Sequence, residues 1–532
     1  MIKLSLNGRA EQYMSTKVNL DALIPREDFE VADEAIQHQP VQTLQIRDLE
    51  SEAFFYSVLR KPDFQRETAD WTPEKICELI QSFLDGDLIP AVILWQHSGS
   101  YIFVIDGAHR LSALIAWVHD DYGDGQLSKS FFDQRIPEEQ LEVAERTRRL
   151  IQRNIGSYND HKFAIRYPEK SKLERVEVAK RLASLSLQLQ WVRGNAGQAQ
   201  ASFFKINQQA APIDQTELKL LESRKKPNAM SARAIIRSGT GHKYWSKFQE
   251  DRQQIIEQLA KEINSILFTP PLHTPIKTLD LPIAGRGYSA QTLPLVFELV
   301  NLTNNVRSEK QEKLSPDNDG DETVQYLKET RKIVYRISGT HPSSLGLHPA
   351  VYFYSATGRY QPTAFLAIVG LIMEFEKRNY FKTFTMYRRK FEDFLLEHKS
   401  FANQVTWKLG SGVKGFGLLQ NLYQAILEPL TQDKNEKEVL ENLFRDSKFS
   451  FLKLTESDGG NAGHRRDFDT EAKSTVFLRE ALKNPLRCQI CHSLIHFNSI
   501  SVDHILRKED GGLATIDNGQ LTHPYCNTTF KN

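Results

Sequence analysis

Two kinds of hydrophobic periodicity divide this chain. Up to about residue 150, short apolar runs alternate with helical ones. Ala91-Val-Ile-Leu-Trp95 and Tyr101-Ile-Phe-Val-Ile105 are compact and rich in branched and aromatic residues. The turn-forming His97-Ser-Gly-Ser100 lies between them, which predicts two neighbouring strands. Asp106-Gly-Ala-His-Arg110 comes directly after, and Leu111 to Trp117 then takes up helical apolar spacing. The prediction is strand, tight turn, helix. From about 160 to 450 the helical period dominates, as in Leu293 to Leu302 and Ala364 to Phe375. Ser308 to Glu322 is charged and nearly free of apolar residues, so it reads as a solvated loop. Glu456 to Ser474 holds three glycines and His464-Arg465-Arg466, and reads as a tether for a C-terminal module. There is no internal repeat.

Composition narrows the class. A chain of 532 residues exceeds a single core, and about three domains are expected. Hydrophobic content of 40% with 25% charged residues is that of a soluble globular protein. The longest apolar candidate, Ala364 to Phe375, has the length of a buried helix and falls short of a membrane span. The first residues, Met-Ile-Lys-Leu-Ser, open no signal-peptide core, so a cytoplasmic protein is expected. The net charge of +1 advertises no nucleic-acid field, so a DNA partner must be argued from local sites. Of the four cysteines, Cys77 stands alone in a helical pattern, as an inert buried residue would. Cys488, Cys491 and Cys526 crowd the C-terminus, which in this setting suggests a metal.

The crowding has a pattern. Cys488-x-x-Cys491 precedes the β-like Asn498 to Val502, which ends in Asp503-His504; Gly511-Gly512 and Asn518 come next, then His523-x-x-Cys526-Asn527. Cys488, Cys491, His523 and Cys526 can close tetrahedrally on a structural zinc. A module of about 45 residues buries too little to fold unaided, and zinc would supply roughly 10–16 kcal/mol. His504 has the chemistry to take a proton from water near neutral pH. Asp503 and Asn527 offer hard oxygen ligands for a catalytic Mg²⁺ or Mn²⁺. Asn518 would pin the intervening loop and orient the histidine. These residues resemble the HNH, or ββα-metal, nucleases, over 488 to 527. The resemblance implies hydrolysis of a DNA phosphodiester with one catalytic metal. Two departures stand out: His523 replaces a cysteine, and only five residues follow Asn527. The competing reading is a zinc ribbon with a structural or DNA-binding role alone.

A second constellation spans 60 to 225. It comprises Pro62-Asp-Phe-Gln65-Arg66, Trp71, Ile89-Pro-Ala-Val-Ile-Leu94, Asp106 to Arg110, and Phe203-Phe-Lys-Ile-Asn207 with Glu217-Leu218. Gly107 permits a tight turn that leaves backbone N–H groups open at a helix start, where phosphate is favoured. Arg110 can reach back to phosphate oxygens, with Gln65 and Arg66 closing the other side. Asp106 or His109 could bind a metal or position water. The plain alternative is a strand–helix corner whose Arg110 pairs with a local carboxylate. The set resembles the ParB/sulfiredoxin-like fold, in the DGQQR branch that forms the N-terminal half of GmrSD-type modification-dependent restriction systems. Ala108-His109 stands where that branch has Gln-Gln, closer to the DGQHR variant of phosphorothioation-linked proteins. The resemblance implies binding and hydrolysis of a nucleoside triphosphate at Gln65, Arg66, Asp106, Gly107, His109, Arg110 and Asn207.

The expected architecture is α+β and multidomain. A ParB-like α/β sensor occupies 1–225, a mainly helical middle 226–455, a linker 456–475 and the ββα-metal module 476–532. Such a pairing resembles single-chain type IV restriction enzymes of bacterial anti-phage defence. DNA and a triphosphate are the implied partners, with a second copy or a defence-system protein left open and no membrane. A nucleotide-dependent DNA-binding regulator is the alternative. Leu347-His348-Pro349 and Tyr352-Phe353-Tyr354 read as core or loop residues that could instead line a base pocket. Tyr387-Arg388-Arg389-Lys390 reads as a solvated helix face that could meet phosphate.

Overall fold

The two apolar runs form the centre of a mixed sheet. In the computed structural model they are β4 (Val92–Gln96) and β5 (Ile102–Asp106), joined by β1 (Arg26–Glu27), β2 (Thr43–Gln45), β3 (Leu59–Pro62) and β6 (Ser186–Trp191). The strand order is β1-β3-β5-β4-β6-β2. β5 runs parallel to β3 and antiparallel to β4, while β4 runs parallel to β6. The structure describes residues 17–27, 29, 41–63, 65, 67–97, 101–210, 219–220, 223–287, 292–306, 314–410, 413–454 and 468–531.

The apolar runs are uninterrupted because the sheet is covered on both sides. Ile102 and Val104 join the larger core with Val92, Leu94, Ile76 and Trp117. Phe103 and Ile105 point the other way and pack with Phe29, Trp95 and Phe203. The larger core is roofed by α1 (Pro73–Asp85), α2 (Ala108–His119) and α3 (Glu138–Asn154). α1 starts on the Thr72 side chain, which accepts from Lys75 N, and stops at Gly86 in the left-handed conformation. Strand, turn and helix at 102–119 therefore keep the predicted order.

The chain divides into two compact units. The first is built from the described residues up to Arg224 with Thr240–Tyr244, and the second from the remainder. The second unit contains α4 (Pro227–Ile236), α5 (Glu250–Phe268), α6 (Thr292–Thr303), α7 (Asp321–Ile337), α8 (Pro362–Arg378), α9 (Phe381–Glu397), α10 (Val413–Thr431) and α11 (Thr470–Ala481). α5 packs on α7, α4 on α6, and α8 on α10. The near-continuous apolar stretch of α8 is explained by its place: Thr363 through Ile372 are all buried. No helix among the described residues is long and apolar enough to cross a membrane. Of the expected loop at 308–322, residues 308–313 lie outside the described residues and α7 begins at Asp321. Of the expected linker, 456–467 lie outside them, and α11 runs across the boundary placed at 475.

The C-terminal residues belong to the second unit, whose contacts hold them. Asn498 donates to Thr269 O at 2.6 Å, Tyr525 N to Ser344 O at 3.0 Å, and Thr528 to Pro342 O at 2.8 Å. One expectation is corrected on α9. Arg389 and Lys390 are exposed as a solvated face requires, but Arg388 is fully buried and paired with Glu392 at 2.7 Å. Basic residues in a row read as surface, yet helical geometry turns successive side chains by about 100°, and one of them faces inward. Leu347, His348, Tyr352, Phe353 and Tyr354 are buried core residues, and so is Cys77.

Candidate nuclease and nucleotide sites

The C-terminal site starts as a hairpin. β7 (Ser501–His504) pairs antiparallel with β8 (Gly519–Thr522), setting Asp503 opposite Gln520 and His504 opposite Gly519. The loop between them is drawn in by Asn518. Its Oδ1 accepts from Leu506 N at 2.7 Å, and its amide donates to Leu506 O and Leu513 O at 3.1 and 2.9 Å. Gly511 takes φ +89°, and a Cβ on Gly512 would lie 1.9 Å from Leu506 O. The Gly-Gly pair is therefore sterically required by this turn.

Behind the hairpin, Cys488, Cys491, His523 and Cys526 are all buried with ligand atoms within 4.8 Å of one another. His523 Nε2 donates to Leu494 O at 2.9 Å, which turns Nδ1 toward the sulfurs, 3.4 Å from Cys491 Sγ and 3.8 Å from Cys526 Sγ. Fixing one ring nitrogen on a carbonyl is how a ligating imidazole is oriented. Burial and Arg388 depress the His523 pKa, but the thiols outweigh them and push it up to about 9. Hydrogen bonds from Cys491 and Cys526 hold Cys488 well below the ordinary thiol range. Hydrogen bonds with Cys488 and Cys491 push the Cys526 thiol up. A Cys3His set suits zinc.

Asp503 is buried, and its Oδ2 accepts from Gln520 Nε2 at 2.9 Å and Lys531 Nζ at 2.6 Å. Burial raises its carboxyl, but Lys531 and Gln520 prevail and hold it below the ordinary range. Lys531 Nζ also donates to His504 O at 2.5 Å, and Arg507 Nη2 holds Lys531 O at 2.7 Å. The Asn527 amide donates to Ser501 Oγ at 2.8 Å and Val502 O at 3.3 Å, beside Asp503 on the same strand. His504 is half-buried, and its Nε2 has no hydrogen-bond partner among the described residues. That nitrogen is uncommitted to the fold.

At the N-terminal corner, Gly107 takes φ +96° and begins α2 without a side-chain cap. Arg110 Nη2 meets Asp106 Oδ2 at 2.6 Å and Ala91 O at 3.2 Å. The arginine is thus paired with the carboxylate of its own motif. His109 stacks on Trp71 at 5.6 Å, and Lys75 Nζ lies 4.9 Å from the same indole. Gln65 is buried, its carbonyl accepts from Arg26, and its Oε1 has no partner among the described residues. Arg66 lies outside the described residues, as does the side chain of Asn207.

Residues 46–222 match the family described as the GmrSD restriction endonuclease, N-terminal domain, and residues 488–532 match HNH endonuclease. The chain carries a GmrSD-type N-terminal domain fused to a C-terminal HNH domain. No curated protein matches the chain, and no solved structure does.

Sequence reasoning missed several residues around both sites. In the HNH domain these are Gln520 and Lys531, which share Asp503. Lys531 lies four positions after Asn527, one helical turn, and that spacing was the available signal. In the GmrSD-type domain, Asp21 Oδ1 accepts from Arg26 Nη2 and Lys61 Nζ, both at 2.7 Å, and from Thr68 N at 3.1 Å. This buried knot brackets the Gln65 loop from both flanks. Lys61 and Thr68 lie 40 and 47 positions from Asp21, and no periodic signal links them.

Proposed function

We propose that this chain is a nucleotide-regulated, modification-dependent DNA endonuclease of bacterial anti-phage defence, acting in the cytoplasm. The matched domains support the coarser statement, a restriction endonuclease whose HNH domain acts on DNA. The observation that carries the reading is the hairpin itself. It sets a cation-holding carboxylate and an uncommitted imidazole on consecutive residues, against a Cys3His metal centre.

In this reading His504 Nε2 takes the proton of the attacking water, which adds to phosphorus as the P–O bond to the leaving oxygen breaks. Asp503 and Asn527 would hold the divalent cation. That Asp503 already holds an ammonium shows that its environment suits positive charge. Bound there, Mg²⁺ or Mn²⁺ would supply stabilisation of the developing charge and of the leaving oxygen. Asn518 fixes the loop after His504.

The GmrSD-type domain, ParB-like in this reading, would bind a triphosphate at Gln65, Arg66, Asp106, Gly107, His109, Arg110 and Asn207. The uncapped start of α2 and the orphaned Gln65 Oε1 favour a ligand there. Phosphate would have to share Arg110 with Asp106 or displace it. Nucleotide occupancy would then bias the cleavage rate, which requires unequal affinity for two states. The test is cleavage of modified and unmodified phage DNA with Mg²⁺ or Mn²⁺, adding each triphosphate in turn. Equal cutting of both DNAs would remove modification dependence, and equal rates with every triphosphate would remove regulation.

A further inference from the structure

The zinc centre is supported from outside the HNH domain. Glu392, on α9, is fully buried. Its Oε1 accepts from Arg388 Nε at 2.7 Å and Tyr352 Oη at 3.0 Å. Its Oε2 accepts from Leu494 N at 3.1 Å, across 102 positions of sequence. Leu494 is the residue whose carbonyl holds His523 Nε2 at 2.9 Å. One residue thus joins the Glu392 carboxylate to the metal-facing histidine.

A second route starts from the same arginine. Arg388 Nη2 donates to Gly346 O at 3.0 Å, and Nη1 donates to Leu345 O. Gly346 takes φ +59°, and a Cβ there would lie 2.7 Å from His523 Cδ2 and 2.8 Å from Ser499 Cβ. The backbone at Gly346 is therefore the wall against which the imidazole rests, and Arg388 holds that wall. Ser499 Oγ in turn accepts from Gly339 N at 3.0 Å.

We propose that the buried Arg388–Glu392 pair is the outer support of the zinc centre, fixing the tautomer and orientation of His523. The helical region and the metal centre of the nuclease then form one energetic unit. A buried ion pair contributes little to net stability by itself, because desolvation offsets the attraction. Its geometry here serves a directional purpose. Glu392 accepts the Leu494 N–H, and the peptide so held presents its neighbouring carbonyl to His523. Arg388 and Glu392 are positioning residues, since neither reaches the ligand cluster.

The experiment measures zinc affinity of the full chain by competition with a chromophoric chelator, and the d–d spectrum of the cobalt-substituted protein. Metal analysis of the wild type comes first: no zinc there would sink the zinc assignment itself. With zinc present, Glu392→Gln should weaken its binding about 10- to 100-fold, the usual effect of removing an outer-shell partner, and shift the cobalt bands. Should that variant fail to fold, Arg388→Met with Glu392→Met leaves no unpaired buried charge and decides the matter by the same readouts. Phe384→Leu loosens the same helix where it packs on Phe375 and should leave both readouts unchanged. Unaltered affinity and cobalt spectrum in a folded Glu392 variant would overturn the proposal, as would an equal loss in Phe384→Leu.

Discussion

The Asp106–Arg110 corner and the Asp503–His504 hairpin both put a charged group next to a turn, but they differ in how the charge is used. At the corner, Arg110 is paired with Asp106 within one helical turn while its Nε has no partner among the described residues, and the side chains are 19% and 32% exposed. At the hairpin, Asp503 is 10% exposed and its partner cation comes from 28 positions away. At the corner a ligand must therefore compete with Asp106 for Arg110. The hairpin holds the Lys531 ammonium on Asp503 and leaves His504 Nε2 without a partner among the described residues. A carboxylate at the end of a strand thus meets a cation from its own motif in one place and a cation from far along the chain in the other.

The largest expected effect breaks the hairpin by removing its metal centre. Cys488→Ser should lose about one zinc per chain and all nuclease activity, since zinc contributes roughly 10–16 kcal/mol at such sites. The GmrSD-type domain should stay folded, with its own melting transition. Unchanged zinc content on metal analysis would show the ligand assignment to be wrong. Next comes His504→Ala, which touches no zinc ligand. Plasmid nicking should fall about 10²- to 10⁴-fold, with zinc retained. Near-normal nicking would end the general-base assignment and favour a purely structural zinc module.

The corner is sharpened by a pair of variants. Arg110→Ala should weaken triphosphate binding about 10- to 150-fold, if the guanidinium contributes about 1.5–3 kcal/mol to phosphate. Asp106→Asn separates the alternatives by releasing Arg110 from its carboxylate. If Arg110 clamps phosphate and Asp106 only competes for it, Asp106→Asn tightens binding in calorimetry. If the pair is merely a corner tie, neither variant moves the affinity.

Legibility in the sequence tracked distance along the chain. The HNH domain could be read because Cys488 to Asn527 is one short stretch, and one hairpin sets the relation of Asp503 and His504. The central strands and the helix after Gly107 were readable from apolar periodicity alone. The features that escaped depend on folding across long separations. Glu392 meets Leu494 over 102 positions, and no local pattern announces such a bond. Arg388 was hidden inside a basic run that reads as surface, because charge composition is blind to which way a helix faces. The knot of Asp21, Arg26 and Lys61 escaped for a related reason: Lys61 lies 40 positions from Asp21, and only the fold brings them together.

The smallest expected effect concerns Lys531. Its ammonium occupies Asp503 Oδ2 at 2.6 Å, and the same carboxylate is the proposed ligand for the divalent cation. The two cations then compete for one oxygen, and metal binding must include release of that hydrogen bond. Lys531→Met removes the competitor while keeping much of the side chain's apolar length. Mn²⁺ should therefore bind more tightly, by about 2- to 10-fold, corresponding to a net hydrogen-bond contribution of roughly 0.5–1.5 kcal/mol. In the metal-free chain the same change leaves Asp503 with Gln520 and the His504 backbone, so the hairpin should become slightly less stable. The two effects have opposite signs, and a general loosening of the site would give only the second. Calorimetry with Mn²⁺ on both proteins distinguishes them. Weaker or unchanged Mn²⁺ binding in Lys531→Met would show that Lys531 does not compete at Asp503.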